Sequence, residues 1–152
     1  MAKKPAKTNV MRLLDQHKIN YVPHEWVQSD EIQGSTTPIY KTLVTVGKSK
    51  DHYVFVVPVE RSLDLKKAAE AVGEKNIHMI KEKELEPLTG YVHGGCSPIG
   101  MKKQFPTSID ASAKAHDTII FSAGKVGVSV EVNPLELKEL LDFQFYDVST
   151  EE

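Results

Sequence analysis

The chain has 152 residues, 40% of them hydrophobic and 26% charged, and its formal net charge is −2. That is the make-up of one water-soluble domain with enough apolar residues for a core. It excludes a protein that coats nucleic acid by charge alone, but not one that grips a single end of an RNA.

One cysteine allows no internal disulfide and fits a reducing, cytoplasmic setting. No stretch approaches the ~20 apolar residues that span a bilayer, so no membrane association is expected. The basic start Met1–Lys7 runs into Thr8 and Asn9 rather than an apolar segment, so it does not read as a signal peptide. One domain is expected over 8–148, with flexible ends at 1–7 and 149–152.

Thr8 or Asn9 caps a first helix whose apolar stripe is Val10, Leu13 and Leu14. Residues 19–26 read as an irregular strand that Pro23 keeps at an edge. Residues 28–38 are polar and carry Gly and Pro, which predicts a loop. Residues 39–46 and 52–59 are rich in β-branched and aromatic types and form a hairpin around Gly47–Asp51. The second run is almost wholly apolar, which places it centrally with both faces covered.

Asp64 caps a helix with Leu65, Ala68, Ala69 and Val72 on one stripe, closed by Gly73. Residues 76–80 return as a short strand, and 81–88 form a charged helix that stops near Pro87. Residues 89–100 are a loop with four glycines. Residues 117–122 and 128–132 are strands. Asn133, Pro134 and Glu136 open a last helix, and 143–148 is a final strand. Hairpins interrupt the alternation of strands and helices. The fold class is therefore mixed α/β, with a mixed sheet wrapped by helices.

Three features carry possible chemistry. Lys41 sits in a strand and shares a face with Ile39 and Leu43. It either snorkels to the edge of the sheet or points into a polar cleft, where it would hold a phosphate or a developing negative charge. The loop Gly90–Gly100 is either an ordinary tight loop or a display of N–H groups to an anion or carbonyl oxygen. The segment Ser122–Gly127 is either a hairpin turn or the floor of a pocket.

The six histidines show no H-x-x-x-H pairing and no acidic companion at ligand spacing, so neither a metal nor a cofactor is expected. Cys96 lacks an identified base. Lys102 and Lys103 form a solvated pair or touch RNA phosphates.

Taken in order, Tyr40-Lys41-Thr42-Leu43, Leu63–Lys67, Thr89-Gly90-Tyr91, Gly94–Gly100, Pro106–Asp110 and Ser122–Gly127 resemble the YbaK/EbsC family of Cys-tRNA(Pro) deacylases. These are relatives of the editing domain of bacterial prolyl-tRNA synthetases. The resemblance covers residues 8 to 148. It implies a curved mixed sheet surrounded by helices, with a cleft. It also implies trans-editing removal of cysteine wrongly joined to proline tRNA, by hydrolysis or by thiol cyclisation. The rivals are an Ala-tRNA(Pro) deacylase and a non-catalytic module of the same fold.

On this resemblance Lys41, Gly94 and Gly95 form the catalytic set. Trp26, Tyr40, Cys96, Ser97, Gly100, Ser122, Gly124, Gly127 and Ser129 line the substrate site. The implied partners are the acceptor end of aminoacyl-tRNA and prolyl-tRNA synthetase. Some members carry Asp where this chain has Ser129, and Gly where it has Ala123. The segment between Trp26 and Tyr40 is shorter than in other members.

Overall fold

The computed structural model describes residues 7–25 and 37–150. Thr8 opens helix α1 (Asn9–Gln16), its hydroxyl accepting from the Met11 N–H at 3.2 Å. The buried stripe is Val10, Met11 and Leu14. Strand β1 (Tyr21–Glu25) follows. The expected loop at 28–38 falls almost wholly outside the described residues.

Strands β2 (Tyr40–Gly47) and β3 (His52–Pro58) form the expected antiparallel hairpin. Helix α2 (Leu65–Val72) is bracketed as its sequence indicates. The Asp64 carboxylate accepts from the N–H groups of Lys66 and Lys67, and Gly73 takes the left-handed conformation at φ 75°. Leu65, placed on the apolar stripe by periodicity, is exposed at the first turn, and Ala68 and Ala69 make the buried contact.

Strand β4 (Ile77–Met79) precedes helix α3 (Glu82–Thr89). Pro87 does not end α3. The helix continues to Thr89 and closes at Gly90, whose φ is 84°. Strand β5 (Thr107–Asp110) has no counterpart among the expected elements. After a 3-10 turn at Ala111–Ala115 come β6 (Ile119–Lys125) and β7 (Val128–Val132). The last helix is a 3-10 helix, Pro134–Glu139, capped by Asn133 as expected, and β8 (Phe143–Tyr146) ends the series.

The strands form two sheets. A five-stranded mixed sheet has the order β4-β2-β3-β5-β8, and a three-stranded antiparallel sheet has the order β1-β7-β6. A parallel bridge between Ile39 and Ile120 joins them just before β2 begins. Pro23 lies on the edge strand β1, where a missing N–H costs the ladder little.

β3 is central, and its side chains explain its composition. Phe55 and Val57 pack with Ala68 and Ala69 of α2 on one face. On the other, Val56 joins the core beneath α1 and Val54 packs with Cys96, Met101 and Phe105. Each fully buried side chain of this kind contributes about 1.5–3 kcal/mol.

Ser149 is buried and bridges to Leu63, and the Thr150 N–H donates to the Ser62 carbonyl at 2.9 Å.

Candidate functional site

The first half of β2, the glycine loop after α3 and the turn between β6 and β7 enclose a cleft of about 500 Å³. Its polar lining comes from Lys41, Thr42, His93, Ser122 and Ser129, with Gly94 and Gly127 exposing main chain. Its apolar lining includes Leu43, Val59, Leu85, Phe121 and Val126. Ser122 and Ser129 are direct cross-strand partners, so they present their side chains together on one face.

The glycines explain how two turns come this close. A Cβ on Gly95 would lie 3.0 Å from the Val126 nitrogen and 3.3 Å from the Lys125 carbonyl carbon. Those are main-chain atoms that cannot rotate away. Gly100 and Gly124, at φ 73° and 92°, both abut Tyr91: added Cβ atoms would meet its hydroxyl at 3.0 Å and its ring at 2.9 Å. The Tyr91 hydroxyl donates to the Ile99 carbonyl at 2.6 Å. Tyr91 is therefore the wedge that sets the spacing of the two glycine turns. Burial pushes its hydroxyl up to about 12, so it stays a donor at neutral pH.

Replacing Gly95 by Ala is expected to lower stability by roughly 1–3 kcal/mol and to displace the Lys125–Gly127 turn. Thermal unfolding and amide chemical shifts of residues 125–127 check this. Unchanged shifts would mean that the two loops do not touch in solution.

Electrostatically the cleft is one-sided. Among the described residues the Lys41 ammonium makes no ion pair and no hydrogen bond, and no carboxylate lines the cleft. An uncompensated cation in a concave, largely apolar site is a receptor for an anion or a polarised oxygen. Burial pushes the Cys96 thiol up to about 12, with a hydrogen bond to Thr89 working the other way. Burial thus favours the neutral thiol over the nucleophilic thiolate. The Ser122 hydroxyl accepts from the Gly124 N–H at 3.1 Å, which leaves its own proton free to donate.

Of the residues singled out from sequence, Tyr40, Lys41, Gly94, Cys96, Ser122, Gly127 and Ser129 line the cleft together. Gly95, Ser97, Gly100 and Gly124 do not. Gly95 and the pair Gly100 and Gly124 hold the loops at their spacing, as above. Ser97 is fully buried, and its hydroxyl accepts from the Ile99 N–H within the loop. The Gly95 N–H is already engaged, donating to the Val92 carbonyl at 2.9 Å. Tyr40 lines the wall, but its hydroxyl is bonded to that of Ser112 at 2.7 Å. Trp26 lies outside the described residues.

Sequence reasoning passed over Thr42 and His93. The nearest signal was position: Thr42 adjoins Lys41, and His93 adjoins Gly94. Among the described residues no cluster of His, Cys, Asp and Glu could hold a metal ion, and no helix is long and apolar enough to cross a membrane.

Residues 28–140, the segment that supplies every described wall of this cleft, match the family described as Aminoacyl-tRNA editing domain. The chain belongs to that family. The editing domain is also similar along its whole length to a protein of Enterococcus faecalis (strain ATCC 700802 / V583) named "Putative Cys-tRNA(Pro)/Cys-tRNA(Cys) deacylase EbsC", at 43% identity over 100% of both chains. A second relative is the prolyl-tRNA editing protein ProX of Acetoanaerobium sticklandii, 25% identical over 85% of this chain and 79% of that one. The solved structure of hypothetical protein APE2540 shares the fold, with a TM-score of 0.83 at 19% identity, covering 94% of this chain and 100% of that one.

Proposed function

We propose that this editing domain is a stand-alone deacylase that removes cysteine from mischarged proline tRNA. The observation that carries the reading is that Lys41 lines the cleft together with the two glycine turns and is, among the described residues, the one lysine, arginine or carboxylate side chain in that lining. The 43% identity to the Enterococcus faecalis relative supports the choice of substrate.

In this reading the 3′ end of the tRNA enters the cleft and Lys41 anchors its phosphate or ribose. The N–H groups of Gly94 and Cys96 polarise the ester carbonyl. The Gly95 N–H does not contribute, because Val92 holds it. Small pockets of this volume reject bulky aminoacyl groups sterically, whereas smaller ones still enter. Ser122 and Ser129 stand where the aminoacyl group would contact the floor, and Ser129 takes the place that Asp occupies in some relatives.

The attacking group comes from outside the protein. Burial favours the neutral Cys96 thiol, and among the described residues neither Ser122 nor Ser129 has a hydrogen-bonded base. Two routes balance. A water adds to the ester carbonyl, the C–O bond to the ribose breaks, and cysteine and tRNA leave. Alternatively the substrate's own thiol attacks its carbonyl, its proton goes to the departing ribose oxygen, and a thiolactone leaves. The second route fits a cleft that offers positioning and charge stabilisation without a nucleophile–base pair. Prolyl-tRNA synthetase, as the source of the mischarged tRNA, is the partner this reading proposes.

Side-by-side deacylation of Cys-tRNA(Pro) and Ala-tRNA(Pro) by the wild type tests it. Cysteine is expected to be released faster by about tenfold or more, the discrimination of a site that uses the substrate's polar group. Faster release of alanine would transfer the protein to the other substrate class. No release of either would leave a binding module.

A further inference from the structure

Five consecutive residues, Ile39 to Leu43, line the cleft. Successive side chains of a strand point to opposite faces. An unbroken lining run therefore means that the cleft lies along the edge of β2, not over one face of it.

The hydrogen-bond parity of β2 shows which main-chain groups reach that edge. The Ile39 carbonyl accepts from the Val59 N–H, and the Gly47 N–H donates to the Asp51 carbonyl, both toward β3. These directions alternate in an antiparallel pair. Tyr40, Thr42, Val44 and Val46 therefore turn their main chain away from β3. At one end of this stretch the Ile120 N–H donates to the Pro38 carbonyl, and at the other the Ile80 N–H donates to the Val44 carbonyl. Between those points neither β4 nor β6 pairs with Tyr40 or Thr42. β2 forks from one sheet to the other, and the cleft occupies the fork.

Thr42 sits in the middle of that edge, which no described strand pairs. Its Oγ1 is buried and, among the described residues, is the buried side-chain oxygen or nitrogen with no hydrogen-bond partner. A buried hydroxyl without a partner is costly, and native structures rarely keep one without a use.

We propose that Thr42 contacts the substrate directly, its hydroxyl taking the free hydroxyl of the terminal ribose, the one that does not carry the aminoacyl ester. This rests on the deacylase reading above. The alternatives on such a substrate match less well. The α-ammonium of the aminoacyl group would be brought beside the Lys41 charge, which repels it. A phosphate is better met by Lys41 than by a neutral hydroxyl. A ribose hydroxyl is neutral and both donates and accepts, as the threonine hydroxyl does. Such a contact would also let the site tell a ribose end from a deoxyribose end.

The test is Thr42→Val, which keeps the shape and β-branching and removes only the hydroxyl. Thermal unfolding is expected at or above the wild-type temperature, because no protein partner is lost. Deacylation kcat/KM is expected to fall about tenfold, the loss of one buried hydrogen bond to substrate, and Thr42→Ser is expected to restore most of it. A substrate lacking the non-esterified ribose hydroxyl should lose about as much with the wild type and nothing further with Thr42→Val, the signature of one shared contact. Wild-type rates in Thr42→Val, or two losses that multiply, overturn the role of Thr42 and leave the deacylase reading standing. A wild type that cleaves no aminoacyl ester overturns both.

Discussion

Lys41→Ala is expected to reduce deacylation kcat/KM by about one hundredfold, the scale of removing one preorganised charge or donor from a catalytic site. Among the described residues no other lysine or arginine lines the cleft, so no described neighbour substitutes for the lost charge. The role proposed for Lys41 is electrostatic, and that has separable consequences. Lys41→Arg keeps a cation on a flexible stem and should retain a measurable fraction of the activity, whereas a lysine acting as general base would not be replaced by arginine. The pH profile of the residual activity in Lys41→Ala should keep its shape, since no titrating catalyst has been removed. The salt dependence should change. A phosphate contact to a single strand contributes a slope of about −0.7 in log K against log salt, so the variant should bind the acceptor end with a shallower slope by roughly that amount. Equal rates in wild type and Lys41→Ala would remove Lys41 from the mechanism.

How much of this was legible in the sequence depended on whether each element solves its burial with its own side chains. β3 was legible because residues 54–57 are all apolar and all fully buried. α2 was legible because Asp64 and Gly73 do locally what those residue types do at helix ends. β5 was not, because Thr107, Ser108 and Asp110 look like loop residues. Thr107 is satisfied locally, donating to the Phe105 carbonyl, but Ser108 and Asp110 are buried on partners that only the fold supplies: the Gln144 amide donates to Ser108, and Asp110 collects the N–H groups of Val148 and Ser149. α3 outlasts Pro87 because Gly90 supplies the left-handed turn that closes it.

The site divides the same way. Lys41 and the glycines could be picked out by motif order. Thr42 could not, because strand alternation puts it on the face opposite Lys41 and so away from any cleft that lies over one face. Only the fork in β2, a consequence of pairing with two different sheets, brings both residues to the same space. The glycine loop shows a related limit. Sequence can say that Gly94 to Gly100 is permissive, but not which N–H groups are already taken, as that of Gly95 is.

The largest expected loss of stability lies away from the cleft, at Asp110. This carboxylate is 2% exposed. Its Oδ1 accepts from the N–H groups of Val148 and Ser149 at 3.0 and 3.1 Å, and its Oδ2 accepts from the Ser112 N–H at 3.2 Å. It thereby fastens the chain end to the end of β5 and to the turn that carries Ser112, the partner of Tyr40. Asp110→Ala leaves two buried donors and one half-buried donor bare and is expected to cost about 3–5 kcal/mol, read as a lower midpoint in urea. Asp110→Asn keeps the volume and one accepting oxygen for Val148 and Ser149, but sets its NH₂ against the Ser112 N–H, so it should also destabilise. Burial works to raise the pKa of Asp110, but the hydrogen bonds from Ser112, Val148 and Ser149 outweigh it and hold the carboxyl below its ordinary value. A group depressed in this way adds stability that is fully present above the unfolded value of about 3.9 and is lost as pH falls through the lower folded value. The wild type should therefore lose this contribution only below about pH 4, and Asp110→Asn should lack that component of the acid transition. Parallel acid transitions in the two proteins would mean that the carboxylate is not the group that ties the chain end down.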